Sequence, residues 1–384
     1  MVYRDFQGLK LSALGLGCMR LPKCGPADED IDVAATQEMV DYALAHGVNY
    51  FDTAWGYHNH NSEVVAGKCL AKHPRDSYYL ATKFPGYDLS CMDKVEEIFE
   101  EQLRKTGAGY FDFYLFHNVC EMNIDAYLEH TEIRDYLVEQ KRAGRIRHLG
   151  FSAHGEIPTM KRFLDVYGED LEFCQLQVNW FDWAFQDAAG KVALCAEHGL
   201  PVWVMEPLRG GKLVAGPGAA SNLTEERVAA IEAIRPGTDS VEAAFRFIQG
   251  IPEVAVTLSG MSNMEQLKAN IALFEDDAPL SADERSQLLA VADEMIADGS
   301  VPCTACRYCT TECPMGLDIP KLLAAYNQKR AGASGDFIAS MIVGSLPEDK
   351  RPDACIGCGA CAAVCPQAID IPAALADFAA LLAG

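Results

Sequence analysis

Residues 50–57 read Tyr50-Phe51-Asp52-Thr53-Ala54-Trp55-Gly56-Tyr57. A helical stretch ends just before them at Gly47, and Tyr50 closes a short apolar run. A carboxylate, an indole and a phenol therefore stand where a strand runs out into a loop. The next apolar run, Tyr78-Tyr79-Leu80-Ala81-Thr82-Lys83, ends on a lysine, and the one after, Phe111-Asp112-Phe113-Tyr114-Leu115-Phe116-His117, ends on a histidine. In a barrel of parallel strands such strand ends carry the chemistry. The plainer reading of each residue alone is structural: Asp52 and Lys83 as an ion pair, His117 as a satisfied core histidine. Four such groups in order, each at a strand end, argue against it.

Outward from this stretch, strand and helix alternate. Residues 2–11 suggest a small hairpin turning at Gly8, and Leu11–Leu21 the first barrel strand. Ile31–His46 is amphipathic and stopped by Gly47, as a C-terminal glycine does. Strands follow at Tyr50–Thr53, Tyr78–Lys83, Phe111–His117, Ile146–Ser152, Phe173–Trp180, Val202–Glu206 and Val254–Ser259. Helices follow near Ser62, at Met92–Thr106, Ile124–Ala143, Pro158–Tyr167, Asp187–His198, Ser240–Gln249 and Met264–Phe274. The expected fold is α/β, a (β/α)8 TIM barrel with right-handed crossovers. A long loop, about Leu208 to Asp239, follows the seventh strand; it is rich in Gly, Ala and Pro at first and then helical at Thr224–Ile234. Ser281-Ala282-Asp283-Glu284 is a capping-box pattern opening a linker helix, Ala282–Ala297. The barrel with this helix is expected over 1–298, and a second domain over 299–384.

Asp52, Tyr57, Lys83 and His117 together resemble the catalytic tetrad of the aldo-keto reductases. The resemblance covers roughly residues 1–275 and implies reduction of a carbonyl, or oxidation of an alcohol, with NADPH or NADH. The residue types suit that chemistry. A carbonyl that receives a hydride must also receive a proton. A free phenol has a pKa of about 10, and a neighbouring ammonium lowers it. The carboxylate keeps the ammonium charged, and a neutral imidazole donates to the carbonyl oxygen as charge develops there.

The resemblance also implies a nucleotide site. Ser152 and Gln177 match residues that hold the nicotinamide amide. Met205 stands where a tyrosine usually stacks on the ring, before Glu206, Pro207 and Leu208. Leu208, Gly210, Gly211 and Lys212 match the loop that folds over the pyrophosphate. Gly260, Ser262, Gln266 and Asn270 match the adenosine end. Two further departures stand out: Ala153 replaces the asparagine expected after Ser152, and Gln266 replaces the arginine that clamps a 2′-phosphate, removing the best bidentate partner. Trp55 is expected to wall the substrate pocket. His58, His60 and His154 read as solvated loop residues, and Cys18, Cys24 and Cys120 as inert thiols at the mouth.

The 384 residues carry a formal charge of −23 and 15 cysteines. The acidity argues against nucleic acid, which needs a basic patch. No N-terminal apolar run suggests a signal peptide, and no run is long enough to span a membrane, so a cytoplasmic location is expected. Eight cysteines fall in two cassettes: Cys303, Cys306, Cys309 and Cys313 before Pro314, then Cys355, Cys358, Cys361 and Cys365 before Pro366. The spacing C-x2-C-x2-C-x3-C-P, twice, is that of bacterial dicluster ferredoxins, in which the fourth cysteine of each run serves the other cluster. One 4Fe–4S cluster is therefore expected on Cys303, Cys306, Cys309 and Cys365, and a second on Cys355, Cys358, Cys361 and Cys313. Zinc is the alternative, but it calls for neither the third cysteine nor Cys-Pro. The helical gap between cassettes, at Pro320–Gln328 and Phe337–Val343, makes this domain resemble the mainly α-helical dicluster type.

Three readings follow. In the first, the chain is a carbonyl oxidoreductase with Tyr57 as acid/base and clusters that transfer electrons. In the second, it is a ferredoxin-linked enzyme coupling single electrons to a two-electron substrate; a flavin would suit that bridge, yet no flavin motif is present. In the third, the clusters only staple the domain or sense redox state. A small-molecule carbonyl is the expected substrate, and the clusters leave room for a redox protein partner.

Overall fold

The first eighty residues already show how the sequence closes a barrel. Asp32 caps a helix, Val33–Ala45, by accepting from the Ala34 and Ala35 amides at 3.0 Å. Gly47, at φ +87°, then turns the chain into a strand. The computed structural model of the protein describes residues 1–216, 221–303, 305–332 and 334–383; residues 217–220 of the long loop expected after the seventh strand lie outside them. A hairpin, β1 (Tyr3–Phe6) and β2 (Leu9–Ser12), precedes the barrel strands β3 (Leu14–Gly17), β4 (Tyr50–Asp52), β5 (Tyr79–Phe84) and β6 (Phe111–Val119). The remaining four are β7 (Ile146–Ala153), β8 (Phe173–Gln177), β9 (Val202–Met205) and β10 (Val254–Ser259). They form a closed parallel barrel in the order β10-β3-β4-β5-β6-β7-β8-β9. The expected (β/α)8 fold is present.

Three elements differ from expectation. The strand expected over Leu11–Leu21 is divided: Ser12 ends the hairpin, β3 spans four residues, and a 3-10 turn at Cys18–Arg20 follows. The strand expected to reach Trp180 stops at Gln177 because the Asn179 side chain accepts from the Phe181 and Asp182 amides at 3.1 and 2.8 Å, starting a short helix, Asp182–Phe185. The helix expected over Ile124–Ala143 is two, Ile124–Glu129 and Glu132–Arg142, separated at His130 with ψ +59°.

The floor of the barrel is aromatic. Phe6 lies 5.1 Å from Trp203, 5.8 Å from Phe113 and 5.0 Å from His148, ring centre to ring centre. Tyr50, Phe173 and Val256 complete this buried cluster. It leaves the strand C-termini as the open end.

The chain divides into two compact units, Met1–Pro207 with Glu242–Ser281, and Leu208–Val241 with Ala282–Gly384. The second unit is helical. Ala282–Gly299, expected beside the barrel, groups with this unit, and Arg227 to Asp298 and Arg235 to Glu284, both at 2.6 Å, tie it to the Glu225–Ile234 helix. Ile319–Ala331 packs against Ser334–Gly344 and against a C-terminal helix, Ile371–Ala383, that the sequence reading did not anticipate. Among the described residues no helix is long and apolar enough to cross a membrane.

Candidate active site and cysteine cavities

β4 ends on Asp52, and its neighbour β5 carries Lys83 two positions past Ala81, the residue level with Asp52. This register brings ammonium and carboxylate together. Lys83 Nζ donates to Asp52 Oδ1 at 2.6 Å and to the Thr53 carbonyl at 2.7 Å, and lies 3.5 Å from the Tyr57 hydroxyl. Lys83 is fully buried and Asp52 nearly so. Burial works against the Lys83 charge, but the Asp52 carboxylate and the Tyr57 phenol reverse it and hold the ammonium above its ordinary value.

His117 reaches the same place through a bulge. β6 follows β7 as far as Phe116, breaks register, and rejoins at Val119. Asn118 sits at φ +59° in the break, and its amide donates to Ser152 Oγ at 2.8 Å. The imidazole meets Tyr57 edge-on at 6.0 Å. Burial, then Lys83, then His154 hold His117 well below the ordinary histidine pKa, so it is neutral. Its Nδ1 is buried without a hydrogen-bond partner. The structure thus brings all four expected catalytic residues together. One expectation needs correcting: the Tyr57 pKa is raised, not lowered. Burial outweighs the pull of Lys83, and Asp52 adds to the rise.

Three groups at this end were not foreseen. Tyr87 packs edge-on against His117 at 5.2 Å, and a side chain at Gly56 would collide with its hydroxyl. Gln175 donates to Asp52 Oδ2 at 3.4 Å. It lies two residues before Gln177 on β8, and strand alternation puts both on one face, so the signal was available. Arg20 lays its stem over Gly260, where an added Cβ would sit 3.2 Å from its Cβ and Cγ.

The residues expected at the nucleotide are placed as follows. Ser152 holds the β6 bulge, and Gln177 donates to Asp182 Oδ2 at 2.7 Å. Met205, half-buried, is level with Gln177 in the β8–β9 pairing. Gln266 stands at the start of the Met264–Leu273 helix, where its Oε1 accepts from the Ser262 amide at 2.8 Å; Asn270 is buried and donates to Ser259 Oγ at 3.0 Å. Pro207 ends the first stretch of the barrel unit, whereas Leu208, Gly210, Gly211 and Lys212 belong to the second unit. Trp55 lies under the Lys105 ammonium at 3.8 Å and lines a cavity of about 540 Å³ with Asp88, Cys91 and Glu97; none of the tetrad residues lines that cavity.

His60 is exposed as expected, but His58 is not solvated and His154 is half-buried. His58 is buried, accepts from the Leu21 amide at 3.1 Å, and meets the Asp28 carbonyl at 2.8 Å. Burial and the Lys191 charge take His154 down to about 4. Cys18 and Cys120 are buried with thiol pKa values pushed up, and Cys24 is exposed.

In the second unit, Cys303, Cys306, Cys309 and Cys365 line one cavity, and Cys355, Cys358, Cys361 and Cys313 line another. Each cavity therefore takes its fourth thiol from the other cassette. The rest of each lining is mostly apolar, including Pro320 and Leu323 in one and Leu317 and Ile319 in the other. Among the described residues no group of His, Cys, Asp or Glu converges closely enough for a single metal ion. Four thiols around each cavity fit a four-iron cubane, whose cysteine ligands stand around a group much larger than one ion.

A family profile described as "Aldo/keto reductase family" matches residues 13–293. The chain belongs to that family. A second profile, "4Fe-4S dicluster domain", matches residues 302–369, so the chain carries such a domain after the barrel. "Probable aldo-keto reductase 1" of Glycine max is 26% identical over 232 residues, 56% of this chain. The match spans 61% of the length of that curated relative. Among solved structures, the holo form of aldo-keto reductase AKR11C1 from Bacillus halodurans is 26% identical, with a TM-score of 0.63 over 76% of this chain and 96% of that one. The glycerol dehydrogenase AKR11B4 from Gluconobacter oxydans shares the fold at 19% identity, with a TM-score of 0.61 over 79% and 98%. An aldo/keto reductase from Klebsiella pneumoniae, solved in complex with NADP and acetate, does so at 22% identity, with a TM-score of 0.57 over 76% and 95%.

Proposed function

We propose that the chain reduces a small-molecule carbonyl, or oxidises the corresponding alcohol, with a nicotinamide nucleotide, and that Tyr57 is the proton donor and acceptor. The observation that carries this reading is the Lys83 ammonium, fixed by Asp52 and the Thr53 carbonyl and 3.5 Å from the Tyr57 hydroxyl. The nucleotide supplies or takes up the hydride. Tyr57 gives its proton to the oxygen of the reduced carbonyl, and Lys83 stabilises the phenolate left behind. His117, neutral, donates a hydrogen bond to that oxygen. Met205, Ser152 and Gln177 serve the nicotinamide end, Pro207, Leu208, Gly210 and Lys212 the pyrophosphate, and Gly260, Ser262, Gln266 and Asn270 the adenosine.

Cys303, Cys306, Cys309 and Cys365 would hold one 4Fe–4S cluster, and Cys355, Cys358, Cys361 and Cys313 the other. Two such cubanes would supply one-electron relay chemistry, with a redox protein as their natural partner. The shared lining of each cavity by both cassettes supports this assignment.

Replacing Tyr57 by Phe tests the first part. Carbonyl reduction should fall by roughly 10³-fold, within the range of a lost general acid, while the nucleotide dissociation constant stays within about twofold. Near-wild-type turnover would remove Tyr57 from the mechanism. For the clusters, anaerobically purified protein should contain about eight iron and eight acid-labile sulfides per chain. Either Cys313→Ser or Cys365→Ser should damage the centre built mainly on the opposite cassette. Iron that stays silent in a redox titration followed by electron paramagnetic resonance would exclude the relay.

A further inference from the structure

The loop 208–212 is moored within the second unit. Arg209 is completely buried, and its Nη1 donates to the Ala331 carbonyl at 2.8 Å and the Gly332 carbonyl at 3.1 Å. Asn222 Nδ2 donates to the same Ala331 carbonyl at 2.7 Å. The Asn222 amide in turn donates to the Lys212 carbonyl at 2.9 Å, closing the loop on itself. Ala331 ends the helix Ile319–Ala331, where the last carbonyls lack intrahelical donors and the helix dipole favours a cation. A guanidinium and a side-chain amide from the loop meet both needs.

The loop is also held in an uncommon backbone state. Arg209, Gly210 and Gly211 stand at φ +51°, +62° and +89°. Glycine adopts these values freely, but Arg209 does so only where its surroundings impose it. The other end of the mooring helix reaches the cysteines. Pro320 and Leu323 line the cavity of Cys303, Cys306, Cys309 and Cys365, and Ile319 lines that of Cys355, Cys358, Cys361 and Cys313. One helix of 13 residues, about 20 Å long, thus has the cysteine cavities at its start and the loop at its end.

We propose that Arg209 and Asn222 are positioning residues for the nicotinamide nucleotide: they hold Leu208, Gly210 and Lys212 ready through the helix that also walls both cluster cavities, so that nucleotide affinity depends on the clusters. This rests on the nucleotide reading given above. Neither residue touches the nucleotide in this account; each acts through the loop backbone. Coupling of this kind is reciprocal, so bound nucleotide should also shift the cluster reduction potentials.

The test is an anaerobic titration of NADPH and NADH into cluster-loaded wild type, Arg209→Met, Arg209→Lys and Asn222→Ala, each checked for iron. Arg209→Met should weaken nucleotide binding by roughly tenfold or more, the usual span of such coupling. The nucleotide KM should rise with it, and kcat at saturating nucleotide should change much less. Arg209→Lys should recover part of the loss, because an ammonium still reaches a helix end, and Asn222→Ala should show a smaller loss. Wild type stripped of iron by an anaerobic chelator should weaken similarly. Unchanged affinity in all three variants at full iron, or after iron removal, overturns the proposal. If Arg209→Met does not fold, Asn222→Ala and the stripped wild type decide it. Wild type that binds neither nucleotide would overturn the underlying nucleotide reading, a failure seen before any variant is compared.

Discussion

The two ends of the barrel bury different chemistry. The floor is a plug of aromatic rings, Phe6, Tyr50, Phe113, Phe173 and Trp203, whose buried polar tips, the Tyr50 hydroxyl and Trp203 Nε1, are uncharged and also lack hydrogen-bond partners. The mouth buries a full ion pair, Lys83 with Asp52, and beside it His117 Nδ1 and Gln175 Oε1 lack hydrogen-bond partners. A buried pair is a poor way to gain stability, because desolvation offsets the attraction, and a buried polar atom without a partner costs about 1–3 kcal/mol. What separates the two ends is charge: the floor's buried rings stabilise the fold, while the mouth draws on that stability to keep a charged pair in place. If that division holds, substitutions at the two ends should separate activity from stability.

Lys83→Met should have the largest effect and break both sides of the comparison at once. It removes the charge proposed to stabilise the Tyr57 phenolate and leaves Asp52 buried without its cation. Turnover should fall by about 10³-fold, and stability by about 3–5 kcal/mol, the usual cost of breaking a buried pair from one side. Steady-state kinetics and urea unfolding monitored by fluorescence would read the two losses. Lost turnover with full stability would mean that Asp52 finds another partner.

Phe6→Ala comes next and should act on one side only. Phe6 caps the strand N-termini from the hairpin, so truncation opens a cavity beneath Trp203 and His148. Large-to-small changes of this kind cost about 3–5 kcal/mol. The proposed active site is at the other end of the strands, so kcat per folded molecule should remain within about twofold. A matching fall in kcat at a temperature where the variant is still folded would show that the plug and the mouth are coupled.

The same contrast explains what was legible in the sequence. Strand ends, helix stops and cysteine spacing are local signals, and they located the barrel, the tetrad and the two cassettes. Groups that depend on long-range packing were missed. Tyr87 reaches His117 from the loop after β5, and His58 is buried because Leu21 and Asp28 come to it from an earlier turn. The Tyr57 pKa was misjudged for the same reason: sequence shows the cation beside a phenol but not the depth at which both lie. The mooring of Arg209 on Ala331 joins residues 122 apart, and nothing local in the loop read as a pyrophosphate cover announces it.

Glu172 offers the smallest effect and the finest test, because its carboxylate meets three partners beside the floor. Its carboxylate accepts from the Leu149 amide at 3.0 Å, contacts Lys141 at 2.7 Å and meets His148 at 3.3 Å. Burial, the largest single influence, would raise its pKa. The His148 and Lys141 contacts and the Leu149 amide together outweigh it and bring the carboxyl down from 4.5 to about 2. A depressed carboxyl stabilises the fold above its unfolded pKa, and that stability is lost as pH falls through the folded value. At about 1.4 kcal/mol per unit, the contribution is roughly 3 kcal/mol at most. Glu172→Gln keeps the shape and loses the charge, so it should cost roughly 2 kcal/mol at pH 7, the usual scale for hydrogen bonds to charged groups. The gap between wild type and variant should stay constant down to about pH 5, and then shrink steadily as the wild-type carboxyl is protonated. Comparing the two proteins at each pH cancels any acid lability they share elsewhere. A gap that stays constant through pH 3 would mean that the Glu172 charge contributes nothing and that the aromatic plug alone accounts for the floor.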